Sequence, residues 1–202
     1  AFTPTISEVT AVTTPTNDNT SNYTFSSSEV GTISYGGSCS SDNTSADTGN
    51  NTITFNALND GTYSNCTMSV TDNFSKISDN LSVSSFTIDI IAPSVNSFTL
   101  NDTALKVGDN ATVTLVFSEA VISFSSSTDI TVDNGSLATM TSTDNITWTG
   151  TFTPTADIED DNNTLALATS YTDTAGNTGP VVTTANYTIE TLAPSVSSFT
   201  LS

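Results

Sequence analysis

The residues that could do chemistry are oxygen-bearing side chains in the connections between short apolar runs. In the second half of the chain they are Glu119, Asp129, Asp144, Asp173 and Asn177. Ca²⁺ takes six to eight oxygen ligands from the carboxylates, amides and backbone carbonyls of loops. Histidine is absent, so the set offers none of the nitrogen ligands that zinc or copper favours. The pattern therefore predicts a calcium site, and the alternative is that these residues only solubilise the loops and cap turns.

These side chains depend for their position on seven short strands, which the alternation of apolar and polar residues predicts. The strands are expected near residues 95–100, 111–117, 129–132, 136–141, 146–153, 164–171 and 181–189. Because successive antiparallel strands reverse direction, the connections after the second, fourth and sixth strands share one end of the unit. That end would hold Glu119, Asp144 and Asp173, with Asp129 leading into the third strand. It would also receive Asp89 from the preceding residues.

Two carboxylates lie at the boundaries between successive units. Asp89 and Glu190 occupy equivalent positions, and an ion bound there would bridge consecutive domains and stiffen the joint. The linker 90–93 is short and ends in proline, which also limits bending. The acidic run 157–161 falls at the opposite end of the unit, where we expect a solvated loop and where the alternative is a contribution to calcium binding at the junction with the next unit.

The sequence contains a domain-sized repeat. Residues 88–100 (IDIIAPSVNSFTL) recur as residues 189–201 (IETLAPSVSSFTL), at an offset of 101. Repeats of this length indicate tandem domains rather than a solenoid of small units. We therefore expect domains at 1–90 and 91–191, with residues 192–202 beginning a third unit or acting as a donated strand.

The predicted fold class is all-β, with two tandem immunoglobulin-like antiparallel β-sandwiches plus the first strand of a third unit. Strands of the first unit are expected near residues 8–13, 22–26, 31–36, 52–56, 62–71 and 82–89. Asp133, Asn134 and Gly135 predict a tight hairpin turn, since Asn-Gly accepts positive φ. Trp148 alternates with apolar neighbours, which favours the core over an exposed binding surface.

The composition excludes several classes of function. The chain has 21 Asp and Glu against two basic residues, Lys76 and Lys106, and its net charge is −19. Binding of nucleic-acid phosphates or of an anionic membrane surface needs several basic side chains on one face. Without histidine there is no Ser-His or Cys-His catalytic pair, and no phosphate-binding loop or nucleophile elbow is present. We expect neither an enzyme, nor a nucleic-acid partner, nor membrane insertion.

The two cysteines, Cys39 and Cys66, both lie in the first unit. Cys66 alternates with Met68 and Val70, which turns it inward if the segment is a strand. A disulfide is favoured over two free thiols, because neither cysteine has a CxxC partner or a neighbouring cation. A disulfide would imply an oxidising compartment outside the cytoplasm.

Several motifs resemble the repeated bacterial immunoglobulin-like domains of large surface adhesins. In the second unit they are FSEAV at 117–121, DITV at 129–132, YTDTAGN at 171–177 and the Ala-Pro pair at 193–194. The first unit resembles a neighbouring variety of these repeats through residues 23–29, 61–66, 70–72 and 86–89, but it has DNFSK where the second unit has DTAGN. The resemblance implies extended spacers that are exported from bacteria and often bind calcium. It also adds Glu29 and Asp72 to the candidate calcium ligands.

We therefore expect a segment of a longer extracellular or cell-surface protein whose role is mechanical reach. Calcium would rigidify its domain joints, and its partners would be adjacent repeats of the same chain. One alternative is a subunit of a filament, in which strand 194–201 completes the sheet of an identical neighbour. Another alternative is a carbohydrate-binding module that uses aromatic side chains on exposed loops.

Overall fold

The computed structural model describes residues 2–201. The chain divides into two compact units, Ala1–Ile91 and Ala92–Ser202. Each unit has its own strands and its own apolar core. In each we call the end at which the first strand begins the leading end, and the opposite end the trailing end.

All strand pairs in the sheets of the first unit are antiparallel. They are β1 (Ile6–Thr10), β2 (Asn22–Ser27), β3 (Gly31–Gly36), β4 (Ser45–Ala46), β5 (Gly49–Thr54), β6 (Gly61–Tyr63), β7 (Thr67–Asp72), β8 (Leu81–Ser82) and β9 (Phe86–Ile88). The strand orders are β1-β2-β5, β4-β3-β7-β8 and β6-β9. Alternation explains the layers, since β2 and β7 each turn every second residue inward.

The core of the first unit is built around stacked rings. Phe55 stacks on Tyr23 and on Phe86, with ring centroids 5.9 Å apart in both pairs. A disulfide joins Cys39 to Cys66, both buried, with their Cα atoms 5.2 Å apart. The predicted pairing is therefore confirmed.

The second unit adds one helical turn to its strands. Its elements are β10 (Val95–Leu100), β11 (Ala104–Lys106), β12 (Ala111–Phe117), β13 (Val121–Ile122), α1 (Ser126–Asp129), β14 (Ile130–Val132), β15 (Gly135–Leu137), β16 (Thr147–Pro154), β17 (Glu159–Asn163), β18 (Leu165–Leu167), β19 (Thr172–Asp173), β20 (Val182–Thr183) and β21 (Tyr187–Glu190). The strand orders are β10-β12-β16-β15, β14-β18-β20, β11-β21-β17 and β13-β19. The β11-β21 pair is parallel, whereas the other pairs of these sheets are antiparallel.

The core of the second unit brings together the inward faces of these strands. Trp148 is half-buried, and its ring centroid lies 4.9 Å from that of Phe124. Phe117 contacts Tyr171 at 4.9 Å between centroids. The tryptophan therefore packs against the core, as its alternation predicts.

Two sequence expectations need correction. The turn at Asn134 has the predicted positive φ of 48°, but it does not close a hairpin, because β14 pairs with β18 and β15 pairs with β16. The acidic run is not a loop throughout, since residues from Glu159 onward form β17 beside β21. Residues 192–201 are not paired as a strand, and their predicted role as the start of a third unit or as a donated strand stays a prediction.

No helix among the described residues is long or apolar enough to cross a membrane.

Candidate metal centre

Glu119 and Asp173 meet at the leading end of the second unit. The β10-β12 register pairs Val95 with Phe117, so the segment after β12 leaves the sheet beside the start of β10. β13 then pairs Val121 with Asp173. As a result the carboxylates of Glu119 and Asp173 offer oxygens within 4.8 Å of each other.

Asp173 is held by the loop that follows it. Its Oδ1 accepts hydrogen bonds from the backbone N–H groups of Ala175 (2.8 Å), Gly176 (2.8 Å) and Asn177 (2.9 Å). Its Oδ2 accepts one from the Asn177 side-chain amide at 2.8 Å. Gly176 has a φ of 97°, which a glycine adopts without strain. The side chain is 0% exposed, so these contacts fix the carboxylate in one orientation.

The donor set fits a hard cation. Glu119, Asp173 and the amide oxygen of Asn177 are all oxygen ligands, as Ca²⁺ requires. Asn177 directs Nδ2 at Oδ2 of Asp173, and the other atom of its amide, Oδ1, is an acceptor that can ligate an ion. Two carboxylates at this separation repel by about 1 kcal/mol in water and about 3 kcal/mol at an effective dielectric constant of 20.

The lysine of the second unit lies elsewhere in its fold. Lys106 stands on β11, in register with Glu190 of β21. β17 places Glu159 on the other side of the same Glu190. Glu190 is thus an exposed trailing-end carboxylate between a cation and a second anion.

Asp89 belongs to the last residues of the first unit. Its backbone N–H donates to the carbonyl of Thr16 at 3.0 Å, and its Oδ1 accepts from the N–H of Ile91 at 3.2 Å. Asp60 accepts from the N–H of Ile90 at 2.7 Å. These contacts tie the start of the linker to the first unit.

Asp129 and Asp144 accept hydrogen bonds from nearby loop residues, and for Asp129 one donor, Ser170, belongs to another connection. Asp129 is 3% exposed and accepts from the N–H of Ser125 (2.7 Å) and the hydroxyl of Ser170 (2.5 Å). Asp144 accepts from the N–H groups of Ile146 and Thr147, both at 2.9 Å. Hydrogen bonds from those amides, the Thr147 amide most, lower the pKa of Asp144. The calcium role predicted for Asp129 stays a prediction.

Glu29 and Asp72 occupy the matching place in the first unit. β3 pairs Gly31 with Asp72, just as β13 pairs Val121 with Asp173. Glu29 precedes Gly31 by two residues, as Glu119 precedes Val121. Asp72 is 9% exposed, and its Oδ1 accepts two backbone N–H bonds.

A second polar cluster, at the trailing end of the second unit, was not predicted from the sequence. Asn163 is 0% exposed and donates to the carbonyls of Asp160 (2.9 Å) and Tyr187 (3.1 Å). Asn134 donates to the side-chain oxygens of Asp160 (2.9 Å) and Asn163 (2.8 Å). Tyr187 donates its hydroxyl to the carbonyl of Asp133 at 2.7 Å. The only sequence signal for this cluster was the Asn162-Asn163 pair at the end of the acidic run. Such asparagine pairs are common in turns, so the pair does not predict a buried hydrogen-bond network.

Comparison with protein families gives one match. A family model described as a bacterial Ig-like domain matches residues 89–189, which is half of the chain. No curated protein matches.

Several solved structures are similar at low sequence identity. Invasin, a bacterial integrin-binding protein, is 14% identical with a TM-score of 0.32, over 94% of this chain and 40% of that one. The titin domains Z1Z2 in complex with telethonin are 13% identical with a TM-score of 0.29, over 96% of this chain and 98% of that one. A Bacteroides ovatus glucan-utilisation protein, SGBP-B, in complex with a mixed-linkage heptasaccharide is 13% identical with a TM-score of 0.24, over 92% and 45%. The chain thus spans less than half the length of invasin and of SGBP-B.

Proposed function

Because the chain belongs to the bacterial Ig-like domain family, we propose that it is a non-catalytic spacer of a bacterial surface protein whose domain joints are stiffened by calcium. The observation that carries the calcium part is the approach of Glu119 and Asp173 to within 4.8 Å at the leading end of the second unit. Asp89, among the last residues of the first unit, stands three residues before the second unit begins.

The ion would connect the end of the first unit to the loop that follows Asp173 in the second unit. Glu119, Asp173 and the amide oxygen of Asn177 would hold it, and Asp89 would add a ligand from the residue that precedes the linker. A bound calcium ion would offset the repulsion between the carboxylates. Its binding free energy would then oppose bending at the joint. At the trailing end Glu190 would play the part of Asp89 for a following domain.

The outer surface supports a spacer role. Every second residue of β16 is an exposed threonine, from Thr147 to Thr153, so the sheet presents hydroxyls to solvent instead of an apolar patch that would attract other proteins. The net charge of −19 adds self-repulsion, which keeps neighbouring molecules apart. A buried disulfide suits a domain that works outside the cytoplasm.

Calcium titration of the whole chain tests this proposal. We expect a calorimetric binding signal, and small-angle scattering should show a larger maximum dimension in calcium than in EGTA. Glu119→Gln should weaken binding by at least about tenfold, because it removes one anionic ligand. The matched control is Glu159→Gln, an exposed glutamate at the opposite end of the same unit. If the maximum dimension and the melting temperature did not change when calcium is removed, the proposed calcium role would be excluded.

The exposed segment 196–201 favours one second candidate, a filament subunit. Val196, Phe199 and Leu201 are 83%, 93% and 97% exposed, and they repeat the apolar spacing of β10, where Phe98 and Leu100 are buried. Such a segment gains by adding to the sheet of a neighbouring molecule. A variant ending at Glu190 should then stay monomeric at concentrations where the full chain polymerises, whereas polymerisation of both would exclude strand donation.

A further inference from the structure

The disulfide of the first unit lies at one end of the β3-β7 pair. These two strands run antiparallel, and their register ends where Gly36 stands opposite Thr67. Cys39 comes three residues after the end of β3, and Cys66 directly precedes β7. The bond between the two cysteines therefore joins the strands covalently at the point where their ladder ends.

The chain enters and leaves this strand pair at its other end. β3 begins at Gly31, which stands opposite Asp72, the last residue of β7. A pull on the two ends of the first unit would reach Gly31 through β1 and β2, and Asp72 through β8 and β9. Because both pulls act on the same end of an antiparallel ladder, its hydrogen bonds would break one pair after another toward the disulfide. The separation would stop there, since a covalent bond withstands far more force than a hydrogen bond.

The loop that the disulfide closes holds a large part of the first unit. The two cysteines are 27 residues apart in the sequence, and β4, β5 and β6 lie between them. No tension reaches these strands while the bond is intact, because force passes directly from one sulfur to the other. An extended chain spans about 3.3–3.6 Å per residue, so withholding this loop shortens the opened unit by about 90 Å. The second unit contains no cysteine, so no disulfide limits its extension.

The contacts between the early and the last segments differ in extent between the two units. In the second unit β11 and the last strand, β21, run parallel over three residue pairs. In the described part of the first unit one parallel bridge, between Thr16 and Ile88, takes that place. Thr16 donates to the carbonyl of Thr87 at 3.1 Å and accepts from the N–H of Asp89 at 3.0 Å. The Thr14 hydroxyl accepts from the N–H of Thr87 at 2.9 Å.

Tension loads such a parallel contact in shear. One of its segments is pulled toward the start of the unit and the other toward the end, so the two slide past each other. All the bonds between them then bear the load together. Three residue pairs should resist this sliding longer than one bridge, and we expect the first unit to open at the lower force.

We propose that the first unit is the extensible element of this chain and that its disulfide limits how far the unit opens. Under load it would open before the second unit and keep β4, β5 and β6 in a closed loop. That loop holds the ends of β3 and β7 together, which reduces the entropy lost on refolding when the load falls. The proposal rests on the spacer part of the proposed function, since only a load-bearing chain is stretched, and it does not depend on calcium.

Force spectroscopy on single molecules of the full chain, held by its two ends in EGTA, tests the proposal. We expect one opening event for each of the two units. Dithiothreitol identifies the event of the first unit, because its two thiols reduce the Cys39–Cys66 bond to two thiols and are themselves oxidised to a cyclic disulfide. An extra lengthening of about 90 Å should then follow the low-force event. It should never precede that event, because the folded core buries both sulfurs.

Each other outcome of this experiment would overturn part of the proposal. An extra step that followed the high-force event would show that the first unit is the stronger one. If no extra step appeared in dithiothreitol, the disulfide would not limit the extension. The calcium role is tested separately by titration and scattering, and its failure would leave the lengths measured in EGTA unchanged.

Two variants separate the disulfide from the contacts that resist opening. Replacing Cys39 and Cys66 with alanine should lengthen the low-force event by about 90 Å in a single step without dithiothreitol. If that variant does not fold, the extra step of the wild type still measures the limit. Thr14→Val removes the acceptor for the N–H of Thr87, so the first unit should open about two- to tenfold faster at constant force. The second unit serves as the control within the same molecule, and an unchanged rate in the first would contradict the role of its parallel contact.

Discussion

Replacing Asp173 with alanine would remove the acceptor around which the leading-end loop of the second unit is built. Four N–H hydrogen bonds converge on this carboxylate at 2.8–2.9 Å, and the side chain is 0% exposed. In the alanine variant the backbone N–H groups of Ala175 and Asn177, which are half-buried, lose their partner. A buried donor without a partner costs more than the hydrogen bond itself contributes.

The expected loss follows from those bonds. Hydrogen bonds to an ionised acceptor contribute about 1.5 kcal/mol each at the low end, so four fully lost and independent bonds would total about 6 kcal/mol. Gly176 is exposed, so its amide regains water and part of the loss is recovered. We expect the free energy of unfolding of the second unit to fall by about 3–4 kcal/mol. For a domain of this size that lowers Tm by roughly 10–30 °C.

A matched substitution exists in the first unit. Asp72 is 9% exposed and accepts two backbone bonds, from Phe74 and Lys76, both at 2.8 Å. Asp72→Ala should therefore cost about half as much, roughly 2 kcal/mol, and only in the first unit. Asp173→Asn keeps one side-chain oxygen and should fall between the wild type and the alanine variant.

Trp148 makes the assay specific to one unit. It is the single tryptophan of the chain, and it packs against the core of the second unit. Its fluorescence during urea unfolding in EGTA therefore reports the second unit alone, while far-UV circular dichroism reports both. A loss below about 1 kcal/mol for Asp173→Ala would refute the reasoning from hydrogen bonds. The reasoning would also be refuted if Asp72→Ala shifted the unfolding transition that Trp148 fluorescence reports.

Three further outcomes are expected. Replacing both Cys39 and Cys66 with alanine should destabilise the first unit by about 3–4 kcal/mol, from the entropy of the loop that the bond closes, and leave the Trp148 transition unchanged. Burial raises the pKa of Tyr171 to about 12, so its contribution to stability is complete below pH of about 10 and is lost as pH rises toward 12. Tyr171→Phe should accordingly lose less stability than the wild type between those pH values in urea titrations. A Cβ on Gly179 would lie 2.1 Å from the Tyr171 ring, so Gly179→Ala should cost about 1–3 kcal/mol by calorimetry and a neutral result would contradict that crowding.

The long strands could be predicted from sequence because their alternation is unbroken. β12 reads ATVTLVF and buries every second residue, so its period of two is plain. β2 and β10 are similar, and their predicted positions lie within about one residue of the observed ones. The core of each sandwich follows from such strands, because the buried face of each is determined by the pattern.

The short strands could not be predicted in this way. β17 reads EDDNN, a composition that disfavours strands. It forms because Asn163 is buried and bonds to the backbone of Tyr187, a contact that sequence spacing cannot reveal. β13 and β19 have two residues each, too few for any periodicity. Tertiary contacts override local preference in β17, and they define β13 and β19, which are too short for a pattern to reveal.

The candidate site was predictable in its location but not in its detail. Strand reversal is enough to predict that Glu119 and Asp173 lie at the same end of the unit. The pairing of β13 with β19 brings the two residues together there. Reversal says nothing of side-chain direction. Asp129 precedes β14, yet its oxygens are taken by Ser125 and Ser170. Only coordinates show which carboxylates are used by their own loops.

The acidic side chains serve a common purpose across both units. Asp18, Asp102 and Asp144 each accept the backbone N–H of the residue two positions later, and Asp72 and Asp173 do the same. A chain with two basic residues thus neutralises many carboxylates with amide dipoles at its turns. Where Glu119 and Asp173 come within 4.8 Å, the two carboxylates also repel each other. Calcium removal should therefore disturb the leading end of the second unit and leave the other turns unchanged, and general loosening in EGTA would contradict this account.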